Sequence, residues 1–372
     1  MNWNNTQIKL KEFINNNLFN GLVIKITKDN EDIYFENFGY SDKENEIKIQ
    51  KDNIFALYSM TKPITVVACL LLIQRNQLSL EEPIKKFYSD FNEKIKIKHL
   101  LNMTSGLTYF WNNSDSGKEI KNAFDLVENE NITLQKFCEK VSKSKVISEP
   151  GTEWHYGVSL DIIGGIIEKV TNQPFNEFLE ENIFSVLEMK DTTFYVKDLD
   201  RKTKVYDFKK TIDGNKLTAN DNFHFLMPFT NNQPLAPLGG SGLFSTASDY
   251  AKFLNFLIDG KINGIQFLEK ELLDLMRSDQ LKEIKDSFRW TFNKDYSYGY
   301  GVRVRLKNDL HPLTEIGEFG WDGALGSAGL VDPKNNITMT FLSSSYPGNN
   351  KIVQTELFDA VYKDLRELNI IK

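Results

Sequence analysis

The spacing of apolar and polar positions changes character along the chain, and each change predicts a different element. A helical pattern over Thr6 to Asn16 gives way to two β-branched and aromatic segments, Gly21 to Thr27 and Asp32 to Tyr40, joined by the polar link Lys28-Asp29-Asn30-Glu31. That arrangement predicts a hairpin. From Ser59 to Gln74 the pattern becomes continuously apolar, a helix buried on most sides, with Pro63 early enough to be tolerated in a first turn. Between about Glu81 and Asn232 helical stretches follow at Leu134 to Val141, Ser159 to Thr171 and Phe175 to Phe184, and no strong strand run interrupts the first half of this region. Ser248 to Asp259 and Glu269 to Ser278 predict two more helices. The period then falls to two at Tyr298 to Leu306, Ala328 to Val331 and Ile337 to Ser343, before a closing amphipathic helix over Val353 to Leu368.

Strands at both ends with helices between predict an α/β (α+β) fold, in which one antiparallel sheet is built from both termini, flanked by helices, and carries an inserted, mainly helical lobe. The sheet lobe is expected from residues 1–80 and 240–372, and the helical lobe from residues 81–239. A length of 372 residues, at about 150 per domain, suits one large two-lobed unit. Apolar residues make up 41% and charged residues 26%, which excludes a disordered chain. With a net charge of −6 and no long block of like charge, nucleic acid is a poor partner. The longest apolar run, Val66 to Ile73, spans eight residues, well short of the ~18 of a membrane span. No basic n-region and apolar h-region open the chain, and Cys69 and Cys138 belong to no Cys-x-x-Cys pair, so a cytoplasmic protein with reduced thiols is expected.

Three segments could carry chemistry. In Tyr58-Ser59-Met60-Thr61-Lys62-Pro63, a serine at a helix start and a lysine three residues on share a face, so the amine can take the hydroxyl proton. The helix N-terminus favours developing negative charge, and apolar surroundings disfavour a charged amine. The tetrapeptide alone equally fits an N-cap serine with a surface lysine; a second Ser-x-x-Lys, Ser142 to Lys145, lies in a polar segment that reads as a solvated helix end. The turn-rich stretch Glu149 to Ser159 holds Tyr156, which can act as a base if an ammonium such as that of Lys62 stabilises its phenolate, although one loop tyrosine among fourteen is more often a packing residue. Gly317 to Ser327 carries four glycines in ten residues, open enough for a substrate to reach backbone N–H groups, or simply a hairpin turn.

In this order and spacing the three segments resemble the serine β-lactamase and penicillin-binding-protein superfamily, and within it the class C-like branch that includes family VIII carboxylesterases. Two landmarks extend the likeness, Leu100-Leu101-Asn102-Met103-Thr104-Ser105-Gly106-Leu107 and Pro237-Leu238-Gly239-Gly240-Ser241-Gly242-Leu243-Phe244-Ser245-Thr246, so that it runs from about Gly21 to Ser345. The resemblance implies that Ser59 is the acylated nucleophile, Lys62 its proton acceptor and Tyr156 the partner base that also activates the deacylating water. It implies an oxyanion hole from the backbone N–H groups of Ser59 and Ala324, and no cofactor or metal. Which of Lys62 and Tyr156 takes the first proton stays open, because strongly coupled groups titrate as a unit.

Two departures bear on substrate. Where lactamases and peptidases of the superfamily carry Tyr-x-Asn, this chain has Tyr156-Gly157-Val158, and where they carry Lys-Thr-Gly it has Trp321-Asp322-Gly323. Val158 removes an amide donor, and Trp321 replaces a carboxylate-binding cation by an aromatic wall. A hydrogen bond to a charged group is worth about 1.5–3 kcal/mol, so Val158, Trp321, Asp322 and Gly323 together point to small neutral or apolar esters, with Asp322 a weaker pointer to cationic ones. The expected function is a carboxylesterase acting on a small-molecule ester or amide. The alternatives are β-lactamase or D-alanyl-D-alanine peptidase or transacylase activity and, in another class, a non-catalytic penicillin-binding-like sensor. An α/β-hydrolase is excluded because Ser105, Ser241 and Ser327 all fail Gly-x-Ser-x-Gly. His99, His155, His224 and His311 form no recognisable ligand pair.

Overall fold

In the computed structural model, which describes residues 2–111, 114–221, 223, 232–284, 294–309 and 313–372, the hairpin forms as β1 (Gly21–Lys28) and β2 (Glu31–Asp42). They join β3 (Ile47–Lys48), β4 (Tyr296–Tyr298), β5 (Arg303–Arg305), β6 (Phe319–Gly320), β7 (Ala328–Asp332) and β8 (Ile337–Ser343) in one eight-stranded sheet of order β4-β5-β6-β7-β8-β1-β2-β3. Every pairing is antiparallel, and the N-terminal and C-terminal strands meet where β1 lies against β8, with Val23 opposite Leu342 and Ile24 opposite Phe341.

Alternation sorts the side chains of this sheet between two cores. Leu22, Ile24 and Ile26 pack with α1 (Asn4–Asn15) and α5 (Phe358–Glu367), whereas Val23 shares the larger core with Tyr250 and Leu254 of α4 (Ala247–Asp259). The same larger core takes in α2 (Thr61–Gln74), buried from Thr61 to Leu72, and α3 (Ser159–Thr171). Burial of α2 on all sides explains its unbroken apolar pattern. No described helix is long and apolar enough to cross a membrane.

Three segments differ from the expected elements. Tyr298 to Leu306 is not one strand: the chain turns back after Tyr298, the Gly299 N–H bonding to the Val302 carbonyl at 2.9 Å, and β4 and β5 form a hairpin. Asp115–Glu130 is a sixteen-residue helix, begun by the Ser114 side chain accepting from the Gly117 N–H. Within residues 81–239 a hairpin, Tyr206–Thr211 with Gly214–Ala219, pairs in parallel with Ser345–Tyr346. Its strands are only partly buried and mostly polar, so no apolar run announced them.

Candidate active site

Ser59 lies in a single 3-10 turn, Tyr58–Met60, that runs straight into α2. The residue before it, Tyr58, has φ +48° and is buried against Phe223, with ring centroids 6.0 Å apart. A bulky residue in the left-handed region stores about 1–3 kcal/mol of strain and persists only where packing over-determines it. The turn is further held by the Leu57 N–H, which bonds to the Leu243 carbonyl at 2.8 Å.

Lys62 follows on the first turn of α2, with no solvent exposure. Its Nζ donates to Ser59 Oγ at 3.2 Å, to Tyr109 Oη at 3.2 Å and to the Gly240 carbonyl at 2.7 Å. Three donors meet three acceptors, the full capacity of an ammonium. Tyr156 Oη donates to Ser59 Oγ at 2.6 Å, and Trp321 Nε1 donates in turn to Tyr156 Oη at 3.2 Å. Ser59, Lys62 and Tyr156, drawn from separate segments, thus form one hydrogen-bonded group.

The two supporting landmarks act as straps for this group. From Leu100 to Leu107, the Met103 carbonyl accepts from the His155 N–H at 2.8 Å, the Thr104 carbonyl accepts from the Gly151 N–H at 2.7 Å, and Ser105 Oγ meets Ser159 Oγ at 2.9 Å. The loop presenting Tyr156 is therefore fixed on both sides. From Pro237 to Thr246, the Gly239 carbonyl accepts from Thr65 Oγ1 at 2.7 Å, one turn along α2 from the Gly240 contact to Lys62.

Gly323 approaches the turn that carries Ser59 closely, since a Cβ on it would lie 2.6 Å from the Leu57 carbonyl oxygen. Ala324, next in the chain, packs against the small cluster that contains Tyr58 and Leu325. Trp321 is buried, its ring edge-on to Tyr298 at 5.1 Å and tilted against Tyr156 at 5.7 Å. Val158 is buried in the main apolar core and offers no polar group.

Asp322 corrects an expectation. It is buried, Arg303 Nη1 donates to its Oδ1 at 2.9 Å, and Gln354 donates to its other oxygen. Side chains alternate across an extended segment, so Trp321 turns toward Tyr156 while Asp322 turns the other way. Its charge is neutralised inside the protein and is not offered to a cationic substrate.

Three contributors escaped the sequence reading: Tyr109, Gly240 and Asp161. Asp161 is fully buried in α3, accepts the Gly240 N–H at 2.8 Å, and has its carboxyl pushed up to about 6 by burial, against the opposing pull of Lys62. A lone acid in the apolar run Leu160 to Ile167 was the available signal. The second Ser-x-x-Lys is a helix end, with Ser142 Oγ donating to the Glu139 carbonyl at 2.9 Å. His99 is half-buried and accepts the Lys96 N–H, His155 lies 3.4 Å from Glu153, and His224 and His311 lie outside the described residues. Among the described residues no group of His, Cys, Asp and Glu could hold a metal ion.

A serine hydroxyl at the head of a buried helix, bonded to a lysine one turn on and to a loop tyrosine, is the candidate site. A family profile for beta-lactamase matches residues 9–361, and the chain belongs to that family. It is 24% identical over 365 residues to Esterase EstB of Burkholderia gladioli, covering 92% of this chain and 90% of that protein. The lovastatin esterase of Penicillium rubens is 27% identical over 320 residues, 77% of this chain and 78% of its own. Among solved structures, EstCE1, described as a hydrolase with promiscuous acyltransferase activity, superposes with a TM-score of 0.81 at 22% identity over 96% of this chain and 97% of its own. The fold is that of the β-lactamases and transpeptidases, and the protein is a serine hydrolase.

Proposed function

We propose that the protein is a carboxylesterase for small neutral or apolar esters, working through an acyl-enzyme on Ser59. The observation that carries the reading is Ser59 Oγ itself, 3.2 Å from the Lys62 amine and 2.6 Å from the Tyr156 hydroxyl. In the state in which the Lys62–Tyr156 pair has given up one proton, Ser59 Oγ attacks the ester carbonyl carbon and its own proton passes to that pair. Backbone N–H groups of Ser59 and Ala324 receive the oxyanion. The C–O bond then breaks, the pair returns the proton to the departing alkoxide, and an alcohol leaves. Water repeats the sequence: it loses a proton to the pair, adds to the acyl carbon and releases a carboxylic acid, while Ser59 recovers its proton. An alcohol in place of water gives acyl transfer by the same steps.

The preference for uncharged esters is supported by what surrounds Tyr156. Trp321 stands where a cation would receive a carboxylate, and the rings of Trp111 and Trp154 lie nearly parallel to Tyr156, at 6.2 Å and 5.9 Å. Trp111 is 52% exposed and gives an incoming apolar group a surface to cover. The two free, buried thiols, Cys69 and Cys138, suit the cytoplasmic location that is part of the same proposal.

Ser59→Ala is expected to abolish p-nitrophenyl butyrate turnover with the circular dichroism spectrum unchanged, and a fluorophosphonate should add once, at Ser59, by intact mass. Retained turnover in the variant would refute the assignment. A stable adduct on a protein that turns over no ester would favour the sensor instead.

A further inference from the structure

Asp161 is a buried acid that the steps above do not use. It belongs to α3, five residues beyond Tyr156, and is fully buried. Its Oδ1 accepts the Gly240 N–H at 2.8 Å, and its Oδ2 has no hydrogen-bond partner among the described residues. A buried carboxylate is costly unless a positive group compensates it. The compensating group is one residue's backbone away, since the Gly240 carbonyl accepts from Lys62 Nζ at 2.7 Å. Only glycine fits between them, because a Cβ there would lie 2.6 Å from Asp161 Oδ2 and 2.9 Å from Tyr109 Oη.

We propose that Asp161 is the positioning residue of this site: its carboxylate holds the Gly240 peptide that cradles the Lys62 amine, and its negative charge sets how readily the Ser59–Lys62–Tyr156 group gives up a proton. The inference rests on the acyl-enzyme reading above and adds to it the element that holds its base. Burial raises the Asp161 carboxyl to about 6, so above that pH the charge is present. The groups facing Asp161 are Lys62 from α2, Tyr109 from the loop before Asp115–Glu130, the Cys138 thiol from Leu134–Val141 and the Gly240 N–H. Lys62 in turn faces Ser59, Tyr109 and Tyr156, and behind Tyr156 stand Trp321 and Tyr298. Among these Asp161 is the one carboxylate. A negative charge beside the group opposes its loss of a proton, so removing that charge lets the group deprotonate at lower pH.

The test is the pH profile of kcat/KM for p-nitrophenyl butyrate with the full chain. Asp161→Asn keeps the size and the acceptor for the Gly240 N–H but not the charge; its acidic limb is expected about one pH unit below that of the parent, the low end for a neighbouring charge. Asp161→Ala also loses the acceptor, and its kcat is expected to fall at least about tenfold with KM nearly unchanged, as for an interaction made only in the transition state. A folded Asp161→Asn variant whose profile superposes on the parent's overturns the proposal. That variant decides alone if Asp161→Ala does not fold. Should Ser59→Ala remain active, the underlying assignment has failed; should it be dead while Asp161→Asn is unshifted, only the role of Asp161 has.

Discussion

Lys62 and Arg303 are both buried cations near the same tryptophan, and they are surrounded in opposite ways. Lys62, 0% exposed, gives its three donors to a serine hydroxyl, a tyrosine hydroxyl and a backbone carbonyl, with the Asp161 carboxylate held off by the Gly240 peptide. Arg303, 1% exposed, bonds Asp322 at 2.9 Å, lies 3.8 Å from Glu318 and donates to the Gly329 carbonyl. Tyr296 adds its hydroxyl to Glu318, and Gln354 its amide to Asp322. One cluster joins its cation to the Ser59 hydroxyl, the proposed nucleophile; the other binds its cation directly to acids and braces the sheet. A compact ammonium that can lose its proton suits the first task, and a guanidinium that cannot suits the second. Burial of charge therefore does not mark a catalytic group by itself. What separates the two is whether the cation's hydrogen bonds end on an atom that a substrate can reach.

The sharpest way to break this comparison is to truncate each cation in turn and, on the Lys62 side, the tyrosine that works with it. Lys62→Ala and Tyr156→Phe are each expected to lower p-nitrophenyl ester turnover by roughly a hundred- to ten-thousandfold, the span of a lost acid–base group, with the urea midpoint changed far less than turnover. Steady-state kinetics beside urea denaturation checks this, and a variant that keeps more than a tenth of parental turnover contradicts the role.

Arg303→Met should behave in the reverse sense. Removing one partner of a buried ion pair leaves Asp322 without its cation, while Glu318 keeps Arg305 and the Tyr296 hydroxyl, and costs about 3–5 kcal/mol. The expected outcome is a large fall in the denaturation midpoint, with turnover per folded molecule close to the parent's under stabilising conditions. Replacing Asp322 by Asn at the same time should recover part of the loss. Turnover that collapses in a variant still fully folded would show that the sheet-side cluster takes part in the chemistry.

The two clusters were not equally legible in the sequence. Ser59 and Lys62 are three residues apart on one helix, so local spacing alone brings them together, and the hairpin β1–β2 and the buried α2 follow from apolar period in the same local way. Tyr156 and the straps from Leu100 to Leu107 and from Pro237 to Thr246 were reachable only through resemblance, because their meeting depends on loops with no period. Arg303, Glu318 and Asp322 are separated by a hairpin turn and a glycine-rich segment, and nothing local pairs them. Asp322 was therefore read as exposed chemistry, although it directly follows a tryptophan on an extended segment and alternation alone would have turned the two apart. Tyr206–Thr211 was missed because a half-exposed hairpin carries no continuous apolar run.

Trp321 stands between the clusters and sharpens the comparison with the smallest of the expected effects. Its indole N–H donates to Tyr156 Oη at 3.2 Å, while its neighbour Asp322 is tied to Arg303. Trp321→Phe keeps most of the apolar volume and removes only that donor. If Tyr156 gives up its hydroxyl proton in the transition state, negative charge develops on its oxygen and the lost bond is one to a charged group, worth about 1.5–3 kcal/mol. Turnover should then fall at least about tenfold with KM for a neutral ester nearly unchanged. If Trp321 is only a wall, the bond is an ordinary neutral one, the loss stays within a few-fold, and KM carries it. The split between kcat and KM thus reads whether the residue that replaced the superfamily's cation still serves the tyrosine electrostatically. An effect confined to KM would assign Trp321 to substrate packing and leave Lys62 as the sole charged support of Tyr156.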